Sequence, residues 1–403
     1  MELPANIPLD SGIPLRAPRK KVLFISYWYP TAERPINGVF VREQAKAVQI
    51  YDDVTVLHCL GYDSRPARLW NMNEETDARL TQGVPTFRVS YRRPLVPRTA
   101  FLAELATMAM AIRKLAPIFR PDIIHAHVYT AAFQATLIGK LAGIPVVVSE
   151  HASGYGRNLL SWKDKRLTQL ACSWASFVCP VSSGLQMSMR ANGIVPNRCR
   201  VVPNVVETRL FYPRDHSADD RITQLLTVCL LDESDNKGIP TLLNALKLLS
   251  NTRTDWHLHH VGDGPARKRH EMLAAQLGIS ALVTFHGAKP KTEVAAFMRN
   301  ASLLIVPSVF ETFSVVAAEA LACGIPVLAT RCGGPEDFVT RDCGILVPPS
   351  NPQAMCDALS QMLSNLHIFS PERISQYARD RFSPERVGAS FHEIYSRACA
   401  NAA

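Results

Sequence analysis

No stretch of the 403-residue chain is apolar for the length a bilayer crossing needs, so a membrane-spanning helix is not expected. The first twenty residues, "MELPANIPLDSGIPLRAPRK", lack a continuous apolar core and are rich in proline, which argues against a secretory leader. The ten cysteines include no CxxC pair and no regular spacing. That excludes a disulfide framework and a zinc knuckle, and it favours a compartment that keeps thiols reduced. Low-complexity tracts are missing too. What remains is an ordinary globular composition, 47% hydrophobic and 20% charged, on a chain longer than a single core usually grows. Two domains and a cytoplasmic seat are the expectation.

The formal charge of +9 is concentrated. Residues 86–120 carry seven cations (Arg88, Arg92, Arg93, Arg98, Arg113, Lys114 and Arg120) against Glu104, a local +6 (7 − 1). Phe101, Leu102, Leu105, Met108, Met110 and Ile112 are interleaved with them. This pattern suits anionic lipid headgroups at an inner membrane face, or a phosphorylated acceptor. It suits equally a solvated helix face whose apolar side lies in the core. Nucleic acid is disfavoured as a partner, because no recognition motif accompanies the charge.

Short β-branched runs alternate with helical lengths. "KVLFIS" (21–26), "VTVLHCL" (54–60), "DIIHAH" (122–127), "IPVVVSE" (144–150) and "SFVCPVS" (176–182) form a first set, with a helix near 39–50. Strands this apolar need a parallel sheet covered on both faces. The rhythm fades over the polar, proline-punctuated 200–221, which is read as a linker. It restarts with "QLLTVCLL" (224–231), "WHLHHVG" (256–262), "LVTFHG" (282–287), "SLLIVPS" (302–308), "IPVLAT" (325–330) and "GILVPP" (344–349). Helical segments over 238–250, 265–277, 291–300 and 314–323 lie between them. Two doubly wound, Rossmann-like α/β domains follow, over 1–207 and 208–382, with a terminal helix over 383–403. Ligands of such sheets bind beyond the carboxyl ends of the strands, so a cleft between two facing domains is the default site.

"SVFETFSVVAAEALACGIPV" (308–327) sets two carboxylates in an apolar run. Glu311 falls on the loop after a buried strand, and Ser314 is placed to cap the helix Val315–Ala322. Amides near Phe313, Ser314 and Val315 form an anion site at the helix start. Glu319 lies about one turn further in, roughly 5–8 Å along the axis. A ligand with a diphosphate at the helix start and hydroxyls on either side satisfies both acids. A capping acid and a half-exposed helix glutamate are the plain alternative. In "HLHH" (257–260), strand alternation sends His257 and His259 to one face and His260 to the other, so no metal cluster is expected.

The stretch resembles the E-x7-E signature of retaining, family-4 glycosyltransferases of the GT-B fold. "VGDGP" (261–265), "VTFHG" (283–287), "GILVPP" (344–349), "PDIIHAH" (121–127), "GIPVVVSEH" (143–151), "VSSGLQ" (181–186) and "VVPNVVE" (201–207) extend the likeness over about residues 21–400. It implies transfer of a sugar from a nucleotide-sugar donor, without a metal or other cofactor, to a glycan or lipid-linked acceptor. It implies that Glu311 meets the donor sugar, that Glu319 meets the ribose, and that Lys237 in "DNKG" neutralises the diphosphate. His127 matches a histidine beside the transferred sugar, although a lone histidine is more often a satisfied core residue. Gly38, Gly262 and Gly264 are carried over to the donor side as points of close backbone approach. Trp28 and Tyr29 are expected on the acceptor side, as stacking faces or as buried anchors. The final helix is implied to pack on the first domain.

The chain departs from the pattern in three places. The family's Gly-Arg after the first strand of the second domain is replaced by Cys229 and Leu230. The glycine after Phe313 is replaced by Ser314. The loop over 26–40 lacks a double glycine. The missing arginine keeps a silent nucleotide-sugar-binding protein in view beside the enzyme. Another GT-B enzyme is the remaining alternative, but a phosphorylase needs a cofactor lysine and a longer chain, and an epimerase needs different acids.

Overall fold

The computed structural model describes residues 18–62, 70–92, 97–214 and 222–401. The proline-rich N-terminus up to residue 17, Arg93, the side chain of Arg98 and the 215–221 part of the expected linker lie outside the described residues. The chain forms two compact units, one built from residues 1–181, 185–205 and 384–403, the other from 182–184 and 206–383.

The first unit contains strands β1 (Lys21–Ser26), β2 (Asp53–Tyr62), β3 (Trp70–Glu74), β4 (Thr86–Arg92), β5 (Ile123–His127), β6 (Val146–Glu150) and β7 (Phe177–Pro180). Its helices are α1 (Val39–Gln49), α2 (Ala78–Thr81), α3 (Pro97–Leu115), α4 (Tyr129–Ala142), α5 (Trp162–Trp174) and α6 (Ser183–Ala191), the last beginning in the 182–184 segment. The sheet order is β3-β4-β2-β1-β5-β6-β7, and every pairing is parallel except β3 with β4. β1, β5, β6 and β7 are buried almost throughout, as a sheet covered on both faces requires.

β3 and β4 were not legible as strands. In "TFRVSYR", arginine and polar residues occupy the alternate positions that make a two-sided strand look like a surface segment. Arg88 and Arg92 therefore belong to a strand, not to a basic helix face. The Arg88 guanidinium is engaged by Glu75 at 2.9 Å, by His58 and by the Pro30 carbonyl at 2.6 Å. The expected linker is also mostly structured. Val202, Val205, Val206 and Phe211 are buried, and the amide of Val202 donates to Pro180 at the end of β7. Apolar β-branched side chains between the prolines explain why this stretch packs down.

A helix at the C-terminus, labelled α13 below, closes this unit. It spans Pro384–Ala400, and its Val387, Phe391, Ile394, Tyr395 and Ala398 recur at helical spacing into the core beside Ala45, Ala47 and Val48 of α1. Each large apolar side chain so buried contributes roughly 1.5–3 kcal/mol. Gly388 sits against the Ala47 carbonyl, where a Cβ would collide. His392 Nδ1 lies 2.9 Å from Asp52, and His125 Nδ1 lies 2.7 Å from the Tyr395 hydroxyl.

The second unit has a six-stranded, wholly parallel sheet in the order β10-β9-β8-β11-β12-β13. Its strands are β8 (Thr223–Val228), β9 (Trp256–Val261), β10 (Val283–Phe285), β11 (Leu303–Val306), β12 (Val327–Thr330) and β13 (Gly344–Val347). The α-helices are α7 (Ile239–Ser250), α8 (Arg267–Gln276), α9 (Lys291–Asn300), α10 (Val315–Ala322), α11 (Pro352–Ser364) and α12 (Pro371–Phe382). Among the described residues no helix is long and apolar enough to cross a membrane.

Candidate functional site

In the second unit, the loops after β8 and β11 meet beyond the carboxyl ends of their strands. The Asn236 side-chain amide donates to the Phe310 carbonyl at 3.0 Å, and the Val309 amide donates to the Asn236 carbonyl at 2.7 Å. Gly238, at φ +65°, presses so closely on the Pro307 carbonyl that a Cβ would collide. These contacts aim Lys237 at Glu311: Nζ lies 2.7 Å from Oε1, and the Ser308 hydroxyl donates to the same oxygen at 2.8 Å. Burial disfavours the charge on Lys237, but the Glu311 carboxylate outweighs it and raises the lysine's pKa above its ordinary value. The lysine therefore stays cationic. The backbone of Glu311 is fixed as well, its amide on the Cys332 carbonyl and its carbonyl accepting from Gly334.

Three residues on, Ser314 holds the N-cap position of α10 with φ 71° and ψ 77°. It does not cap with its side chain: the buried hydroxyl has no partner. The left-handed backbone explains why a glycine suits this position and why a serine there is strained. The first amides of a helix have no intrahelical acceptor, which leaves the start of α10 as a donor cluster beside Lys237 and Glu311. Phe313 itself is buried against Phe338 and Phe382, at ring distances of 5.2 and 5.5 Å, so its side chain is core and only its backbone faces the loop. Val315 opens the helix, and Glu319 is buried in its middle.

Gly262 and Gly264 pack the "VGDGP" loop onto the carbonyls of Cys229 and Leu231, where any Cβ would collide. Each is required for that approach within the protein. Leu230 is 54% exposed, and Cys229 turns toward His260. The nearby arginines of α8 are engaged: Arg267 with Glu271 at 2.7 Å, and Arg269 with Asp235. His257 pairs with Thr284 at 2.8 Å, while His259 bonds Gln224 and His286 at 2.8 and 2.9 Å, so these side chains serve one another on the sheet face.

In the first unit, β5 delivers His127 into full burial, stacked near Phe24, His125 and His151 with ring centroids 4.6, 4.2 and 5.9 Å away. Both of its ring nitrogens lack a partner. Burial, and then the neighbouring histidines, push the His127 pKa well below its usual value, so the ring is neutral. The next residue, Val128, has φ 68° and ψ 146°, a conformation that a β-branched side chain rarely adopts. Its amide bonds the Ser149 carbonyl, and the Tyr129 amide that follows bonds the Glu150 carboxylate at 2.9 Å. Glu150 also accepts from the amides of His151 and Ala152, both at 2.8 Å, and from the Tyr155 hydroxyl at 2.7 Å. This turn fixes His127, and residue type alone gives no sign of it.

Gly38, at φ +67°, folds its loop back on the Trp28 backbone. Trp28 is half-buried, its ring edge toward Phe40 at 6.3 Å. Tyr29 is fully buried, with its hydroxyl 3.5 Å from Thr86, which makes it an anchor of the loop rather than an open stacking face. A cleft of about 1480 Å³ opens in this unit, lined by the β1–α1 loop, the end of β2 and the facing parts of α3, α4 and α5. Ser308, Asn236 and His151 escaped sequence reasoning, because each is a common residue in an ordinary loop until the fold assembles it.

The model for glycosyl transferases group 1 matches residues 223–381, and that for glycosyltransferase family 4 matches residues 38–210. The chain is 22% identical over 390 residues to a phosphatidylinositol N-acetylglucosaminyltransferase subunit from Arabidopsis thaliana, covering 95% of this chain and 84% of that protein. It is 27% identical over 308 residues to the D-inositol 3-phosphate glycosyltransferase of Corynebacterium glutamicum, covering 70% and 73%. Among solved structures, Anabaena Alr3699/HepE in complex with UDP superposes with a TM-score of 0.73 at 20% identity, over 93% of this chain and 99% of that one.

Proposed function

Because the chain belongs to the group-1, family-4 type of GT-B glycosyltransferases, we propose that it moves a sugar from a nucleotide-sugar donor to a glycan or lipid-linked acceptor with retention of anomeric configuration. The observation that carries this reading is the Lys237–Glu311 pair at 2.7 Å beside the start of α10. A departing nucleoside diphosphate gains negative charge, and a preplaced cation with helix amides stabilises that charge as it develops. Glu311 then takes the donor sugar's hydroxyls and Glu319 the ribose, with no metal needed. The anomeric carbon–phosphate oxygen bond breaks, the acceptor oxygen bonds on the same face, and its proton passes to the leaving phosphate. His127, neutral, offers a hydrogen bond rather than a charge. UDP bound to the Anabaena structure supports a nucleotide donor, and the phosphatidylinositol and inositol phosphate relatives support a role in cell-surface glycolipid or polysaccharide synthesis. All ten cysteines are free thiols, in keeping with a cytoplasmic seat.

A thermal-shift series across nucleotide sugars, followed by turnover of the stabilising donor, tests this. A specific donor raises the melting temperature by mass action, and product forms with the anomeric configuration of the donor. Exposed Leu230, standing where the resembled family has an arginine, favours the second reading, a protein that binds donor without turnover. Binding without transfer or hydrolysis by the purified protein selects that reading instead.

A further inference from the structure

Of the five tryptophans, one faces solvent. Trp162, the first residue of α5, is 75% exposed, and Leu159, three residues before it, is 66% exposed. The other four tryptophans are buried or half-buried. The loop that carries Leu159 is tied down on both sides. The Tyr155 hydroxyl donates to Glu150 at 2.7 Å, and the Asn192 side-chain amide donates to the Tyr155 carbonyl at 3.0 Å. The Leu159 amide donates to the Gly154 carbonyl at 2.9 Å, and Leu160 is buried with a methyl close against Gly154. Ser161 and Asp164 then close a capping box on the start of α5. With Leu160 pinned inward and the helix capped, Leu159 and Trp162 are held outward, as apolar surface that the fold leaves in water.

Cations surround this tip. Residues 153–170 carry Arg157, Lys163, Lys165 and Arg166 against Asp164, a local +3 (4 − 1). Among the described residues none of the four is in an ion pair, while the Asp164 carboxylate is held by the amide and hydroxyl of Ser161 at 3.2 and 2.6 Å. Positions 162, 166 and 170 share one side of α5, so Arg166 and the exposed Leu170 continue the surface that Trp162 begins. The other side, with Thr168, Ala171 and Cys172, is buried.

A tryptophan ring settles at the boundary between headgroups and hydrocarbon, a leucine beside it reaches the acyl chains, and a lysine or arginine at that depth keeps its charge among the lipid phosphates. A second protein chain needs more: a stable interface buries about 800 Å² on each partner, which two outstanding side chains do not offer. A shallow and reversible membrane contact needs only a small apolar anchor reinforced by a basic patch. We infer that the tip formed by Leu159 and Trp162 docks the first unit on an anionic lipid surface, with Arg157 and Arg166 among its phosphates. The contact lies outside the basic stretch over 86–120.

The test is co-sedimentation of the full chain with vesicles of phosphatidylglycerol and phosphatidylcholine in equal parts, at millimolar lipid. The parent binds these vesicles and not pure phosphatidylcholine, and about 1 M salt releases it by screening the charges to about 3 Å. Arg157→Gln combined with Arg166→Gln weakens binding about 30-fold, roughly fivefold for each cation lost near an anionic surface. Leu159→Ser combined with Trp162→Ser weakens it at least as much at an unchanged melting temperature, because both side chains are exposed. Trp162→Phe still binds but loses the tryptophan quenching that the parent shows with lipids brominated along the acyl chain. The inference is overturned if the parent does not bind the anionic vesicles, if it binds pure phosphatidylcholine as tightly, or if both double variants bind as the parent does. It is overturned too if sedimentation velocity shows a parent dimer that the Leu159→Ser, Trp162→Ser variant loses, since the tip is then an interface between copies. Stabilisation by a nucleotide sugar is read without vesicles. The donor reading can therefore stand while this inference falls, and the reverse.

Discussion

Ser314→Gly should make the protein more stable. The residue has a left-handed backbone at φ 71° and ψ 77°, is 6% exposed and leaves its hydroxyl without a partner. For an L-residue that conformation costs roughly 1–2 kcal/mol, and an unpartnered buried hydroxyl costs roughly 1–3 kcal/mol. Glycine relieves both but returns roughly 0.5–1 kcal/mol through the greater freedom of the unfolded chain. The net gain is about 2 kcal/mol, equivalent to roughly 4–8 °C in the melting temperature of a unit this size. Calorimetry of parent and variant, with and without UDP, measures it. Because the amides of α10, and not the hydroxyl, are assigned to the diphosphate, the UDP-induced shift should be the same in both proteins. A variant that melts at or below the parent temperature would refute the strain argument. A lost UDP shift would move the hydroxyl into the donor site.

The remaining predictions address the charge pair, the buried histidines and the terminal helix. Lys237→Met should lower kcat by about 10²–10³, as removal of one transition-state donor does, and Glu311→Gln should lower it comparably; steady-state kinetics showing less than a threefold loss in both would sink the assignment. His58 and His151 are both drawn down to about 3 by burial, with Arg88 adding to the effect at His58. An unfolded histidine near 6.5 takes up a proton that the fold refuses, so stability is present above pH 6.5 and is lost as pH falls toward 3. At about 1.4 kcal/mol per pKa unit, each costs about 2 kcal/mol by pH 5. Glu150, raised by burial, offsets part of this. Melting temperatures that are level between pH 7.5 and 5 would contradict it. Tyr395→Phe strips His125 Nδ1 of its buried partner and should cost about 1–3 kcal/mol by urea titration; no change would mean that the bond contributes nothing.

The parallel sheets were legible because their strands are apolar on both faces, as in "DIIHAH" and "SLLIVPS", and period and length alone identify such runs. β3 and β4 were not, because Arg88 and Arg92 interrupt the pattern with cations that are neutralised only in the fold. The Glu311 loop could be read because its strand–loop–helix context is local. The Lys237 partner lies 74 positions away, and the contacts of Asn236 with Val309 and Phe310 and of Gly238 with Pro307 bring the two together. A serine at the position of Ser314 usually caps with its side chain, and the left-handed backbone that cancels this role is invisible to composition. The +6 stretch divides between a strand, β4, that carries Arg88 and Arg92 and a helix, α3, that carries Arg113 and Lys114, a division that charge alone does not show.

In the donor site proposed above, the departure at Leu230 changes how the remaining groups would share the diphosphate. With an exposed leucine after β8 and the α8 arginines tied to Glu271 and Asp235, Lys237 is the cation that the described residues set beside Glu311. A lysine is a compact point charge and lacks the planar, bidentate fork that a guanidinium offers to phosphate oxygens. The amides at the start of α10 must therefore carry more of the load, and they can do so only while the helix start is held open. Phe313 packed under Phe338 and Phe382, and Gly334 pressed on the Phe313 backbone, hold it from below. Restoring the arginine by Leu230→Arg should then raise donor affinity while making turnover less sensitive to Lys237→Met. If the double variant is as impaired as Lys237→Met alone, position 230 does not reach the diphosphate.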